Sequence, residues 1–309
     1  MKIIFFGTSD FAVPSLERIM GSDHELSSVV TQPDRKKGRH LVLTPPPVKE
    51  SVGKSSIPLH QPLDASSPET VTLLKKYGAD LFVVVEFGQI LKKNLLEVPN
   101  GSCVNLHASL LPKYRGASPI NWALVNGEKV TGVTTMKMVE KMDAGDVILQ
   151  READIKPLDT GETLKERLAV LGAELLMETI DLIASGKAAY KKQDEKEATY
   201  APKLKKEDGL IDWSKDAREI ENRVRGFSPW PSAYTHWNGN LVKIWKAESK
   251  ATPQSKPDIG KILRLDDGIV VGTGKGELSV KTLQLEGGKR LDAASFLNGH
   301  KLRIGDKLQ

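Results

Sequence analysis

Four short apolar runs, Lys2 to Phe6, Leu26 to Val30, Leu81 to Val85 and Cys103 to Leu106, restrict the fold of this chain more than any other feature. The first three are rich in β-branched or aromatic residues, and each run ends at a Gly, polar or Pro-containing turn. Without alternation of apolar and polar residues, they predict strands covered on both faces, as in a parallel sheet between helical layers. Helices are expected between them, over Ser67 to Lys76 and from Pro119 onward. The expected class is α/β, a doubly wound, mostly parallel, Rossmann-like sheet whose ligands gather at the C-terminal strand ends.

A long helix is expected from about Gly161 to Ser185. Leu164, Leu168, Leu171, Leu175, Leu176, Ile180 and Ile183 recur at helical spacing, Thr163 stands three before Glu166 as in a capping box, and Gly186 ends the run. The charged stretch Lys191 to Glu197, continued by Tyr200 to Lys206, reads as a linker. The expected domains are therefore 1–190, a linker 191–207, and 208–309. Beyond Asp208 come one helix-like segment, Ala217 to Val224, and short strand candidates at Ser232 to Trp237, Leu241 to Lys246, Gly260 to Leu265, Gly268 to Thr273 and Leu278 to Leu285. Their Gly and Asn turns suggest a small C-terminal β-barrel of the OB-like kind.

No apolar run approaches the ~20 residues of a membrane-spanning helix, and the N-terminal apolar stretch is too short for a secretory signal. No membrane association is expected, and a cytoplasmic location is. The single cysteine, Cys103, excludes an internal disulfide, and the six histidines lack metal-ligand spacing, so no metal is expected. The formal net charge of +5 is unevenly spread, −1 over residues 1–200 and +6 over residues 201–309. A basic C-terminal part suits a polyanion such as nucleic acid, and also suits solubility alone.

The densest chemical signal is Asn105-Leu106-His107-Ala108-Ser109-Leu110-Leu111-Pro112. Asn105 and His107, two apart at the end of an apolar strand, point the same way while Leu106 enters the core. An amide beside an imidazole can hold the oxyanion of an acyl-type transfer and exchange protons near neutral pH; the same pair can also satisfy turn backbone groups. In Met142-Asp143-Ala144-Gly145-Asp146 either carboxylate can orient that imidazole, and either can be a turn residue. Only Gly7 of a Gly-x-Gly-x-x-Gly fingerprint follows the first strand, which disfavours a nicotinamide dehydrogenase. Gln32 to His40 sets Arg35, Lys36, Lys37 and Arg39 in a Gly- and Pro-bounded loop suited to phosphate or base edges, or to plain solvation. The aromatics Trp213, Phe227, Trp230, Trp237 and Trp245 are expected mostly in the core of a small β domain.

Together with Phe6-Gly7-Thr8-Ser9-Asp10-Phe11, Thr31 to Arg35, Lys113 to Ile120, Thr199 to Leu204, Ile211-Asp212-Trp213 and Phe227-Ser228-Pro229-Trp230-Pro231, these segments resemble the folate-dependent formyltransferases over essentially the whole chain. The basic loop and the Pro-Trp-Pro tail point to the branch acting on methionyl-tRNA. The resemblance implies a catalytic trio of Asn105, His107 and Asp143, with Asp143 the carboxylate of the family's Leu-Asp-x-Gly pattern, here Met-Asp-Ala-Gly, and Asp146 the lesser candidate. It implies a folate cleft lined by Phe87, Gly88, Gln89, Ile90 and Leu91 with Ser109, Leu110, Leu111 and Pro112. Glu86 and Phe87 depart from the small residue and Tyr commoner there, a change that matters if those side chains meet the pterin. The implied donor is 10-formyltetrahydrofolate, and the implied acceptor is initiator methionyl-tRNA, reached by Arg35, Lys36, Lys37 and Arg39 and gripped by the C-terminal barrel. A monomer is the expected state. A small amine acceptor and a non-catalytic RNA-binding role are the rival readings.

Overall fold

The computed structural model of the chain describes residues 1–37, 41–53, 55–99, 101–250 and 258–309. The chain forms two compact units, one of Met1–Pro119, Val130–Asp154 and Lys165–Ala201, the other of Ile120–Lys129, Ile155–Leu164 and Pro202–Gln309.

The first unit opens with β1 (Lys2–Gly7), α1 (Val13–Met20) and β2 (Glu25–Val30), then a ribbon of β3 (Arg35–Lys37) and β4 (Val42–Thr44). There follow α2 (Pro47–Val52), β5 (Leu59–His60), α3 (Pro68–Lys75), β6 (Leu81–Val85), α4 (Lys93–Leu96), β7 (Ser102–His107) and β8 (Arg115–Gly116). After α5 (Pro119–Val125) the chain continues through β9 (Val130–Lys137), β10 (Val147–Asp154), α6 (Gly161–Ala184) and β11 (Tyr200–Ala201).

Seven of these strands make one sheet in the order β10-β9-β7-β6-β1-β2-β5. Strands β5, β2, β1, β6 and β7 run parallel, and β9 and β10 are added antiparallel. The expectation of a mostly parallel sheet rests on burial: Ile3, Ile4, Phe5 and Phe6 of β1, and every residue of β6, are buried on whichever face they point to. Phe6 packs against Phe82 and, edge-on, against Phe87, with ring centroids 5.0 and 5.4 Å apart. Strand order reverses between β1 and β6, so a crevice opens at their C-terminal ends, the usual place for a ligand in such sheets. Gly7 stands at that end because a Cβ there would come within 2.5 Å of the Phe5 ring and 2.9 Å of Ala12 Cβ.

Two local expectations change. The long helix is capped one turn earlier than Thr163 and Glu166 suggest: Thr160 Oγ1 accepts from Thr163 N at 3.3 Å and Thr163 Oγ1 accepts from Thr160 N at 2.9 Å. Two hydroxyls close the cap reciprocally, and no carboxylate is required. The basic loop is partly regular, since Arg35, Lys36 and Lys37 pair with Thr44, Leu43 and Val42 in an antiparallel ribbon. The sequence does not announce it, because the apolar residues Leu41, Val42 and Leu43 lie exposed instead of marking a buried strand.

The second unit carries α7 (Ala217–Gly226), β12 (Ala233–Trp237), β13 (Asn240–Lys250), β14 (Ile262–Arg264), β15 (Ile269–Gly272), β16 (Glu277–Leu285), β17 (Leu291–Asp292) and α8 (Ala293–Gly299). The antiparallel order is β12-β13-β16-β15-β14, with β17 also on β16. Bulges near Lys246 bend β13 against β16 and help the sheet curl. The barrel is thus a half-barrel, with β12 and β14 as its edges. The chain end bridges them: Gln309 exchanges backbone hydrogen bonds with His236, and Leu308 N donates to Gly260 O at 2.8 Å. Ile220 and Val224 of α7, Val242, Ile244, Leu278, Val280 and Phe296 fill the curl.

Candidate active site

Asn105 and His107 close β7, in register with Met136 and Thr134 of the antiparallel neighbour β9. Alternation along the strand sends Leu106 into the core and brings the amide and the imidazole to the same face. Among the described residues no hydrogen bond engages the Asn105 amide, which leaves both of its polar atoms for a bound molecule. His107 is 6% exposed, and its Nε2 lies 2.9 Å from the carbonyl oxygen of Tyr114. A carbonyl only accepts, so Nε2 carries a proton. Nδ1 is left facing the carboxylate of Asp143, with 3.7 Å to Oδ2.

Of the two carboxylates in the turn between β9 and β10, it is Asp143 that meets the imidazole. Its φ of +49° swings the side chain back toward β7, and Oδ2 also accepts from Gly116 N at 2.8 Å. Asp146 contributes its backbone carbonyl to Lys137 N at 2.9 Å. Gly145, between them, is required by space: a Cβ would sit 1.7 Å from the carbonyl oxygen of Lys137.

The segment after β7 is braced from β9 and β10. Thr134 Oγ1 donates to Ser109 O at 2.6 Å and accepts from Leu111 N at 3.1 Å, and Gln150 Nε2 donates to Leu111 O at 2.8 Å. Ser109 is fully buried with Oγ donating to Lys113 O, and Leu111 packs on Met136 and Val147. In this segment it is Leu110 and Pro112 that remain partly exposed beside the site.

The loop after β6 divides in the same way. Phe87 is 2% exposed, and its carbonyl already accepts from Thr8 Oγ1 at 2.7 Å and Gln32 Nε2 at 3.3 Å. Leu91 is buried, and the Gln89 amide bridges Ala65 N and Pro62 O. Gly88 and Ile90 are the exposed members, Ile90 at 74%. Glu86, also at positive φ, accepts from Ser9 Oγ and lies 3.8 Å from Lys165, which in turn holds Asp10. Desolvation of Asp10 is outweighed by Lys165 together with backbone N–H donors such as that of Phe11, and its carboxyl stays below the usual range.

On the ribbon, Lys36 is exposed and Arg35 is tied through Nη2 to Gln32 Oε1 at 2.8 Å. Lys37 pairs its backbone within the ribbon, and Arg39 lies outside the described residues. In the second unit, Trp213, Phe227 and Trp237 are core residues, whereas Trp230 is exposed and Trp245 sits on the outer face of β13. The guanidinium of Arg290 lies 3.6 Å from the Trp245 ring centroid, with Lys243 Nζ at 5.6 Å and Gln284 Oε1 accepting from the indole at 3.1 Å.

Sequence reasoning misses the Tyr114 carbonyl, Thr134 and the polar residues behind the Asp143 turn. Only Thr134 leaves a signal, as a hydroxyl among the apolar residues of β9. Among the described residues no group of His, Cys, Asp and Glu is arranged for a metal ion, and no helix is long and apolar enough to cross a membrane. An unengaged amide, an imidazole protonated on the far nitrogen and a carboxylate behind the near one form a set able to hold an oxyanion and move a proton.

Comparison with known proteins gives two family matches, "Formyl transferase" over residues 1–180 and "Formyl transferase, C-terminal domain" over residues 203–301. A methionyl-tRNA formyltransferase of Geobacter metallireducens is 49% identical over 309 residues, covering 100% of this chain and 98% of that one. One from Geobacter sulfurreducens is 47% identical over 309 residues, covering 100% and 96%. Among solved structures, an N-formyltransferase of Helicobacter canadensis, in complex with folinic acid and dTDP-3-aminofucose, superposes with a TM-score of 0.68 at 19% identity, covering 94% of this chain and 100% of that one.

Proposed function

The chain belongs to the formyl transferase family, and from that premise we propose that it moves the formyl group of 10-formyltetrahydrofolate to the free amino group of initiator methionyl-tRNA, supporting translation initiation. The observation that carries the reading is the junction of His107 and Asp143, 3.7 Å apart, beside an unengaged Asn105 amide at the C-terminal end of β7.

In this reading the methionyl nitrogen attacks the formyl carbon and its π electrons move to oxygen. The Asn105 amide and the imidazolium of His107, through Nδ1, hold that oxygen as charge develops. Asp143 keeps the imidazolium turned to the site and, directly or through water, takes the proton released by the amine. As the oxyanion collapses, the bond from carbon to N10 of the folate breaks and N10 takes up a proton. Tetrahydrofolate and formylmethionyl-tRNA leave.

The donor would lie along Gly88, Ile90, Leu110 and Pro112, the exposed members of the two loops, and the backbone of Phe87, Gln89, Leu91, Ser109 and Leu111 would shape the cleft from behind. The basic residues Arg35, Lys36, Lys37 and Arg39, and the basic outer face of the second unit, would meet the tRNA phosphates. The same reading puts the enzyme in the cytoplasm, where charged tRNA is made, and a monomer suffices for it.

The test is transfer of labelled formyl from the folate donor to charged tRNA. Labelled formylmethionyl-tRNA is expected. Transfer only to small amines, or no transfer, would overturn the assignment.

A further inference from the structure

The turn that carries Asp143 is held mainly from outside. Asp143 adopts φ +49°, its neighbours Lys141 and Met142 are exposed, and a hydrogen bond inside the turn, Ala144 N to Lys141 O, is 3.3 Å long. The turn is spanned by one amide from a segment with the composition of a charged linker. Gln193 Nε2 donates to the carbonyl of Asp143 at 2.8 Å and to that of Gly145 at 2.7 Å, one on each side of Ala144. Both N–H bonds of the amide are engaged, which fixes its plane.

The acceptor end of the same amide is fixed as well. Gln193 Oε1 accepts from Nε and Nη2 of Arg115, at 3.0 and 2.9 Å. Arg115 is fully buried, and its remaining face meets both carboxylate oxygens of Glu195 at 3.2 and 3.1 Å. Glu195 also receives Lys141 Nζ at 2.7 Å, which ties the near side of the turn to the same anchor. A guanidinium out of water is tolerated only when its donors are met, and these four hydrogen bonds all come from the segment Gln193 to Glu195.

Arg115 is the middle residue of three that hold the reacting groups. The carbonyl of Tyr114 takes the Nε2 proton of His107, and the N–H of Gly116 is given to Asp143 Oδ2. One short stretch therefore fixes the imidazole and the carboxylate, while its middle side chain fixes the amide that holds the carboxylate's own backbone. We propose that Gln193, clamped by Arg115 and Glu195, is a positioning residue for formyl transfer, keeping Asp143 aligned with His107 Nδ1. It touches neither substrate nor reacting atom, and acts through Asp143. The inference rests on the formyl-transfer reading for its kinetic consequence, and on geometry alone for its structural one.

The test compares the full-length protein with Gln193→Ala, Gln193→Glu, Asp143→Asn and the double variants. Gln193→Glu is near-isosteric and keeps an acceptor for Arg115, so it guards against simple loss of folding, and it removes both donors to the turn. With methionyl-tRNA and 10-formyltetrahydrofolate, both Gln193 variants are expected to lower kcat by about tenfold to a hundredfold, the scale of a small misplacement of reacting groups. KM for each substrate should stay within about twofold, and Gln193→Ala should add little once Asp143 is Asn. Independently of turnover, the nitrogen-15 shift of the His107 ring at one fixed pH should move in Gln193→Ala toward that of Asp143→Asn. Wild-type kcat in both Gln193 variants, full multiplication of the two effects, or an unmoved ring resonance overturns the proposal. An inactive wild type refutes the formyl-transfer reading instead, and the ring resonance still decides the positioning claim.

Discussion

The imidazole of His107 donates a hydrogen bond from Nε2 to the carbonyl of Tyr114 at 2.9 Å, which leaves Nδ1 as the nitrogen open to the proposed reaction. Nδ1 carries a proton only when the ring is charged, and the carboxylate of Asp143 stands 3.7 Å behind it. Asn105→Ala and His107→Ala are each expected to lower turnover a hundredfold or more, in line with ~3–4 kcal/mol for removal of one oxyanion donor, and Asp143→Ala by about a hundredfold or more through loss of the orienting base. Thermal melting should show the fold intact. Near-normal turnover in any one removes that residue from its role.

Phe87 and Ile90 lie three residues apart in one loop and are expected to respond oppositely. Phe87 is packed edge-on against Phe6 inside the sheet layer, so Phe87→Ala should cost stability, about 3–5 kcal/mol by denaturant titration. Ile90 is exposed and contributes little to that core. Ile90→Ala should leave stability unchanged and raise KM for the folate donor. A stable Phe87→Ala with poor donor binding would reverse the two roles.

Glu195 links stability to acid pH. Hydrogen bonds from Arg115 first, and then from Lys141, hold its carboxyl down at about 2 from an ordinary value of 4.5. A depressed carboxyl favours the folded state once it is ionised. Its contribution is therefore complete above the unfolded value and is lost as pH falls toward the folded one. The carboxylate is 55% exposed, so the effect is screened and modest. Denaturation midpoints measured from pH 4.5 down to 2 should fall less steeply in Glu195→Gln than in the wild type. Parallel curves would show that the pairing with Arg115 contributes nothing to acid stability.

The strands are legible in the sequence because burial on both faces leaves continuous apolar runs, as in Ile3 to Phe6 and Leu81 to Val85. Asn105 and His107 are legible as a pair because strand alternation alone puts them on one face. The choice of Asp143 over Asp146 comes from the family pattern alone and is not legible in spacing, since it depends on a left-handed φ at Asp143 that Gly145 does not disclose. Gln193 is hidden for a different reason: the groups it donates to lie 50 and 48 residues away and are backbone carbonyls, which carry no sequence signature. The ribbon reads as a loop because Leu41 to Leu43 are apolar yet exposed.

Arg290 and Trp245 stand together on the outer face of the second unit. With its guanidinium carbon 3.6 Å from the indole centroid, Arg290 is held over the ring by a cation–π contact, and the indole is itself fixed by Gln284. Lys243, two residues before Trp245 on β13, stands beside the same ring. A stacked guanidinium keeps its edge donors free for phosphate oxygens, and its orientation is set before binding. If this face takes the tRNA backbone, Arg290→Ala should raise KM for methionyl-tRNA severalfold while KM for the folate donor and kcat at saturation stay unchanged. The slope of log KM against log salt should fall by about one for each phosphate that is no longer neutralised. Trp245→Ala should weaken binding as well but keep the slope nearer the wild type, because it loosens the cation without removing it. Equal tRNA kinetics in all three proteins across a salt series would place the polyanion surface elsewhere.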